Sequence, residues 1–453
     1  MCDRSKRAAT VKLGQLPDLS GHFGKGHGTI SWVFHARRPA SREMKRSRTS
    51  RFTASVPAII ARAIAVVALL ALCEATPAGS DNAQMAPSNA DFESVSPWRQ
   101  AGFDAAHTAH NRKEQILSRS NVGRLTQAWA SPVGAGSLYA SPIVSARRVY
   151  IGSGDGRMYA FDAATGATLW IGEQQPLFFV DSAAGGEGLV FASAVYQALL
   201  AYDAETGSIV WTSPTLSDVR ASPTFERGAP TFERGVLYVA SFEGTLNALD
   251  AATGVPIWSA PGPCCVYDQA PVVASGRVFQ IRTDHTLTAY DAKHGTQLWS
   301  KAAFAVGTMA AAYGMLFYNE YPNVVALDQA TGAQLWATPV VTGATTGAPA
   351  VADGLVFVTQ SNLVALNAAT GAVVWTAPAT SGWGPVVANG VVYASSLNGE
   401  WDAFDEGNGS LLWSVTVGGG CSGSCANAVP VVANGVLYLA GPDQFLRAFT
   451  VSP

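Results

Sequence analysis

This 453-residue chain has little charge: Asp, Glu, Lys and Arg together make up 13%. So few charges exclude a fold of long exposed helices laced with ion pairs. Long hydrophobic runs are missing too. The run from Ala63 to Leu72 has ten residues, about half of what a membrane-spanning helix needs. No Cys-x-x-Cys-His segment is present, so no attached c-type haem is expected. Gly418-Gly419-Gly420 lacks the Lys-Ser/Thr of a phosphate-binding loop, and no serine stands in a nucleophile-elbow pattern. What the chain does have is 45 glycines, 24 prolines and 12 tryptophans, a composition that fits many short strands joined by tight turns.

The first 73 residues differ from the rest, with 13 Lys/Arg against 3 Asp/Glu. A basic stretch followed by a short apolar run is the pattern of a secretory signal. Met44 heads Met44-Lys45-Arg46-Ser47-Arg48, so residues 1–43 read as an over-extended start, 44–78 as the signal peptide and 79–97 as a disordered linker. A lipid anchor at Cys73 is disfavoured, because Leu72 stands where a lipobox needs a small residue. The remaining body holds 16 Lys/Arg and 29 Asp/Glu. An acidic body without a basic stripe argues against nucleic acid and anionic membrane surfaces as partners. The expectation is an exported protein, in the periplasm, at the cell surface or outside the cell, with no transmembrane helix after signal cleavage. In such a compartment the four remaining cysteines, Cys264, Cys265, Cys421 and Cys425, read first as disulfides.

A repeat decides the fold. Tyr159-Ala160-Phe161-Asp162-Ala163-Ala164-Thr165-Gly166-Ala167-Thr168-Leu169-Trp170 recurs along the chain, and in each copy an Asp or Asn precedes the Trp by eight residues. The pairs are Asp162/Trp170, Asp203/Trp211, Asp250/Trp258, Asp291/Trp299, Asp328/Trp336, Asn367/Trp375 and Asp405/Trp413. Each unit carries apolar runs upstream, such as Ile143-Val144 and Val149-Tyr150-Ile151, so it reads as four short strands A to D. The Ala-Ala-Thr-Gly between C and D reads as a hairpin turn, in which Asp bonds its own backbone and Gly supplies positive φ. Four-stranded units with two apolar faces bury both by stacking radially. Trp spacings of 37 to 47 residues match one blade each. The longest contains a duplication, Pro223 to Gly228 copied as Pro230 to Gly235. Seven complete units span 139–414. Residues 427–450 supply A, B and C without a Trp strand, and 125–132, with Trp129, is a D strand without its A, B or C. The expected fold is therefore an all-β, eight-bladed β-propeller of four-stranded antiparallel blades over 98–453, its ring closed by the N-terminal strand pairing with the C-terminal blade.

The Ala-x-Asp-Ala-x-Thr-Gly-x-x-x-Trp motif resembles the tryptophan-docking repeat of the pyrroloquinoline-quinone (PQQ) quinoprotein family, over roughly residues 98 to 450. Trp98-Arg99-Gln100-Ala101-Gly102-Phe103-Asp104 is similar to that family's lead-in segment. The resemblance implies that Trp129, Trp170, Trp211, Trp258, Trp299, Trp336, Trp375 and Trp413 pack between blades and do no chemistry. It leaves two functions open, because the repeat occurs in PQQ-dependent alcohol dehydrogenases and in BamB-type scaffolds of outer-membrane assembly.

The A–B and C–D turns lie on one face and are uniform. The D–A and B–C connections lie on the other and carry the irregularity, which is where function concentrates. Both cysteine pairs fall there, four blades apart, so the expected disulfides are Cys264-Cys265 and Cys421-Cys425. Quinoprotein alcohol dehydrogenases place an adjacent-cysteine disulfide against PQQ; a loop clamp is the plainer reading of the same pair. Near the A-strand starts lie Tyr139, Asp181, Arg220, Asp268, Thr346, Trp383 and Asn427. In the B–C connections lie Asp155, Glu243, Asp284, His285, Glu320 and Asp443. None matches a catalytic motif of the family, and the blades lack long insertions. His107 and His110 could share a helical turn, but two histidines without a third ligand do not make a metal site. The leading expectation is a non-catalytic scaffold binding a protein partner or small ligand on the irregular face, with no cofactor or metal assigned. The alternative is a PQQ- and Ca²⁺-dependent alcohol or sugar dehydrogenase. Cys264, Cys265, Trp383, Arg220 and Asn427 would then bind cofactor, and Asp268 or Asp181 would be the base.

Overall fold

The computed structural model describes residues 97–451 except 136–139, 146, 178, 180–181, 194–197, 214–215, 217–218, 220–221, 227–234, 242–243, 263–268, 283, 341–346, 360, 380–382, 396–398 and 419–427. Its strands form eight antiparallel sheets of four strands, one of which gains a fifth, parallel strand. Blade 1 is typical, with strands A to D at Ile143–Ser145, Arg148–Gly152, Met158–Asp162 and Thr168–Ile171. Blades 2 to 7 repeat it in order and end at Trp211, Trp258, Trp299, Trp336, Trp375 and Trp413. Neighbouring A strands touch, so they form the inner ring and the D strands form the rim. The A strands are short and small, as in Ala350–Ala352 and Val386–Ala388, because eight of them must converge on one axis.

Blade 8 is assembled from both ends of the chain. Val431–Ala433, Val436–Ala440 and Phe445–Val451 supply A, B and C, and Leu125–Pro132 supplies D. The register runs from Leu125 opposite Val451 to Pro132 opposite Phe445.

The D strands are edge strands and need protection from further pairing. Each carries a bulge at the residue before its Trp. In blade 1, Thr168 opposes Phe161 and Trp170 opposes Ala160, so Leu169 is left out of the ladder. The same shift recurs in the other blades. A bulge breaks the run of free N–H and C=O groups that a foreign strand would need.

Adjacent blades are joined through the tryptophans. The indole N–H of Trp129, Trp170, Trp211, Trp258, Trp299, Trp336 and Trp375 donates to the carbonyl just after the turn Asp or Asn of the next blade, at 2.9–3.1 Å. The turn glycine of that next blade lies on the indole face. At Gly207 (φ +73°) a Cβ would sit 2.5 Å from the Trp170 ring, so both the backbone angle and the packing demand glycine. The preceding Asp holds the turn: Asp162 Oδ1 accepts from Thr165 N and Thr165 Oγ1, both at 2.9 Å. The Thr165 hydroxyl is the main reason its carboxyl lies below the usual range.

Candidate functional site

The axis of the ring is filled by the chain itself. From Trp98 the backbone winds once around the inside of the A strands. Trp98 pairs with Val144 of blade 1, and Arg99 O accepts from Gly185 N of blade 2. Ala105 O, Ala106 O, Thr108 O and Ala109 O then accept from Val273, Ala311, Val351 and Val387 of blades 4 to 7 in turn. Asn111 Nδ2 closes the circuit on Val432 O of blade 8 at 2.7 Å. Inner-edge N–H groups that would otherwise be unpaired and dry are thereby satisfied. The fifth strand of blade 7, His110–Asn111, belongs to this coil.

So tight a coil needs left-handed backbone, and Gly102, Phe103, His107 and Ala109 all have positive φ. Asp104 braces it by accepting from Thr108 N and Thr108 Oγ1. Burial raises the Asp104 carboxyl above its ordinary value, against those two bonds. His107, 2% exposed, is depressed to about 4 by burial and is neutral near pH 7. The helical turn considered for His107 and His110 does not form: the segment is a buried, irregular coil ending in a strand. Strand hydrogen bonds to seven blades outweigh its local preference.

Beyond the coil, residues Glu114 to Arg124 cross the regular face between blades 7 and 8. Gly435 N donates to Glu114 Oε2 at 3.0 Å, Asn389 Nδ2 donates to Leu117 O at 2.8 Å, and Arg119 pairs with Asp405 at 3.5 Å. Beside them lies Glu406, 6% exposed. Burial, then Asp353, pushes its carboxyl up to about 7.

On the irregular face, serines stitch the closing blades: Ser141 N donates to Ser182 Oγ at 3.0 Å, and Val429 N donates to Ser141 Oγ at 2.8 Å. Three described carboxylates of the B–C connections are held locally. Asp155 accepts from Tyr159 OH and Arg157 N, Asp284 from Thr286 N, and Asp443 from both ends of the Arg447 guanidinium, which lowers its carboxyl. Each serves its own loop. Among the described residues no group of three or more His, Cys, Asp and Glu is placed to hold a metal ion. Over blades 4 and 5 the face is aromatic. His285 packs on Phe304 with ring centroids 4.8 Å apart, and Phe304 and Tyr321 are each 60% exposed.

Of the residues singled out from sequence for a ligand, only Trp383 is described. It is half-buried at the start of the blade 7 A strand, and its carbonyl accepts from Thr359 Oγ1 of blade 6. Cys264, Cys265, Asp268, Asp181, Arg220 and Asn427 lie outside the described residues, as do Cys421, Cys425, Tyr139, Glu243, Thr346, Cys73 and residues 230–234 of the duplication. Sequence reasoning missed Asn111 and Glu406. Asn111 meets its partner 321 residues away, and Glu406 stands where most repeats have Ala.

A family profile described as "Outer membrane protein assembly factor BamB" matches residues 123–180, 199–318, 303–377 and 320–452, more than half of the chain. A BamB from Bordetella pertussis is 31% identical over 157 residues, covering 33% of this chain and 38% of that protein. A quinohemoprotein alcohol dehydrogenase from Comamonas testosteroni is 27% identical over 189 residues, covering 36% of this chain and 26% of that protein. The chain thus spans well under two thirds of either relative's length. The crystal structure of BamB from Moraxella catarrhalis superposes with a TM-score of 0.57 at 16% identity, covering 72% of this chain and 97% of that one, which is a likeness of fold.

Proposed function

The chain belongs to the family of the outer membrane protein assembly factor BamB, and from that premise we propose that it is an exported, non-catalytic scaffold. Its irregular face would bind a protein partner or a small ligand. One observation carries this reading: three of the carboxylates described on that face, Asp155, Asp284 and Asp443, are each held by a bond within their own loop. A catalytic centre would need such groups to converge on one cavity. The exposed Phe304 and Tyr321 beside His285 instead offer aromatic anchors of the kind protein interfaces use. Relatives that are outer-membrane assembly factors or quinohemoprotein dehydrogenases make export the consistent compartment, and no helix among the described residues is long and apolar enough to cross a membrane.

The second reading, a PQQ- and Ca²⁺-dependent alcohol or sugar dehydrogenase, is favoured by the likeness to a quinohemoprotein alcohol dehydrogenase. Among the described residues no group of three or more His, Cys, Asp and Glu stands together to hold Ca²⁺. The test is titration of PQQ into the purified chain with Ca²⁺ present, beside the double variant Cys264→Ser/Cys265→Ser. The expected result is no saturable binding to either protein. Saturable binding at micromolar concentration or tighter that needs the cysteine pair would replace the scaffold reading with the dehydrogenase one.

A further inference from the structure

One blade junction differs from the other seven. In blades 1 and 3 a buried B-strand tyrosine and the D-strand tryptophan donate to the same carbonyl of the next blade: Tyr150 and Trp170 to Ala204 O, Tyr238 and Trp258 to Ala292 O. Blade 7 carries the same pair, Tyr393 and Trp413, in the same register opposite Ala403. Here neither donor meets an acceptor among the described residues. The Tyr393 hydroxyl, on a residue 1% exposed, has no hydrogen-bond partner. The Trp413 indole N–H meets no acceptor among the described residues, and its ring is turned edge-on to Phe449 at 5.5 Å and 71°.

The cause is topological. The next blade is the closing one, and its C–D hairpin does not exist because the two strands come from opposite ends of the chain. The C strand runs straight on through Val451 to pair with Leu125. Gln127 opposite Phe449 corresponds to Thr168 opposite Phe161, so Leu125 stands where the other blades place the turn glycine. A side chain there keeps the backbone off the indole. Beside it a groove of about 480 Å³ is lined by Trp413, Val415, Val417, Phe449, Leu125 and Arg447. Next to Leu125, Arg124 is exposed and pairs with no carboxylate among the described residues.

We propose that this seam groove docks a turn of a partner polypeptide, which supplies the carbonyl that blade 7 lacks. The chemistry of the occupant is displayed seven times within the molecule. At each ordinary junction the indole is covered by a segment carrying an apolar residue, an Asp or Asn, and a glycine, with its main-chain carbonyl on the indole N–H. In the seam the Asp-like carboxylate meets Arg124 and the apolar residue meets Val415 and Phe449. The groove runs along the seam of blades 7 and 8 from Leu125 to Arg447, across the ring from the exposed Phe304 and Tyr321 of blades 4 and 5, so its loss would leave those anchors intact.

The test uses the full chain with ¹⁵N-labelled indoles and a synthetic peptide of the sequence of residues 159–168, the segment that covers Trp129. Trp413→Phe identifies the Trp413 resonance. The expected result is a saturable downfield shift of that resonance alone, abolished in Val415→Arg and weakened roughly fivefold in Arg124→Glu, the worth of one exposed ion pair. A Trp413 resonance that stays put up to about millimolar peptide would overturn the proposal. So would equal movement of several indoles, or undiminished binding by Arg124→Glu. Arg124 is exposed, so its variant keeps the test decisive if Val415→Arg fails to fold.

Discussion

The tryptophan and the glycine of each repeat are two halves of one contact, made between different blades. Gly207 lies against Trp170 with no room for a Cβ, whereas Gly188, in the A–B turn of the same blade, has φ +78° and nothing within 4 Å. Replacing Gly188 with alanine should therefore cost about 1 kcal/mol, the backbone penalty alone. Gly207→Ala should cost a further ~1–3 kcal/mol from overpacking. Urea midpoints of the two variants measure the difference. His107 offers a second test. Its folded value of about 4 lies below the ordinary 6.5, so the unfolded chain takes up the proton first as pH falls. The stability that neutral His107 contributes is complete above about pH 6.5 and is lost progressively toward pH 4, a drop on the order of 3 kcal/mol. Glu406, raised to about 7, slopes the other way, so the difference between wild type and His107→Asn isolates the histidine. That difference, followed by urea midpoints at several pH values, should shrink as pH falls from 7 to 4.5.

At the scale of elements, the eighth blade shows how strand pairing holds the ring. Leu125–Pro132 is the outer strand of a sheet whose other three strands begin at Val431. Deleting the last 25 residues removes those three strands. It also opens the ring beside blades 1 and 7 and strips the outer strand of its partner. The expected outcome is loss of the whole cooperative melt by circular dichroism, where removal of a terminal unit from an open array would only shorten it. The closing strand was legible in the sequence because Trp129 stood alone, with no A, B or C run before it. The condition of Trp413 was not legible. Its motif is intact, and what it lacks is a hairpin in the next blade, a neighbour that is adjacent only once the ring is closed.

Across the whole molecule, the two faces and the axis have different origins. The uniform face follows from one turn sequence repeated, with Asp or Asn and Gly at fixed spacing. The axis follows from geometry: eight inner strands leave a ring of unpaired groups, and the coil from Trp98 to Asn111 bonds to seven of the blades. Titration of PQQ decides at this scale whether the irregular face holds a cofactor or a partner. By itself the sequence determined the blade, the number of blades and their closure, because strand alternation, turn residues and the Asp-to-Trp interval are local and recur. Only the tertiary structure decided that the lead-in plugs the axis and that Trp413 meets no acceptor among the described residues. Each of these depends on groups far apart in sequence, whose meeting is set by ring closure and not by any local preference.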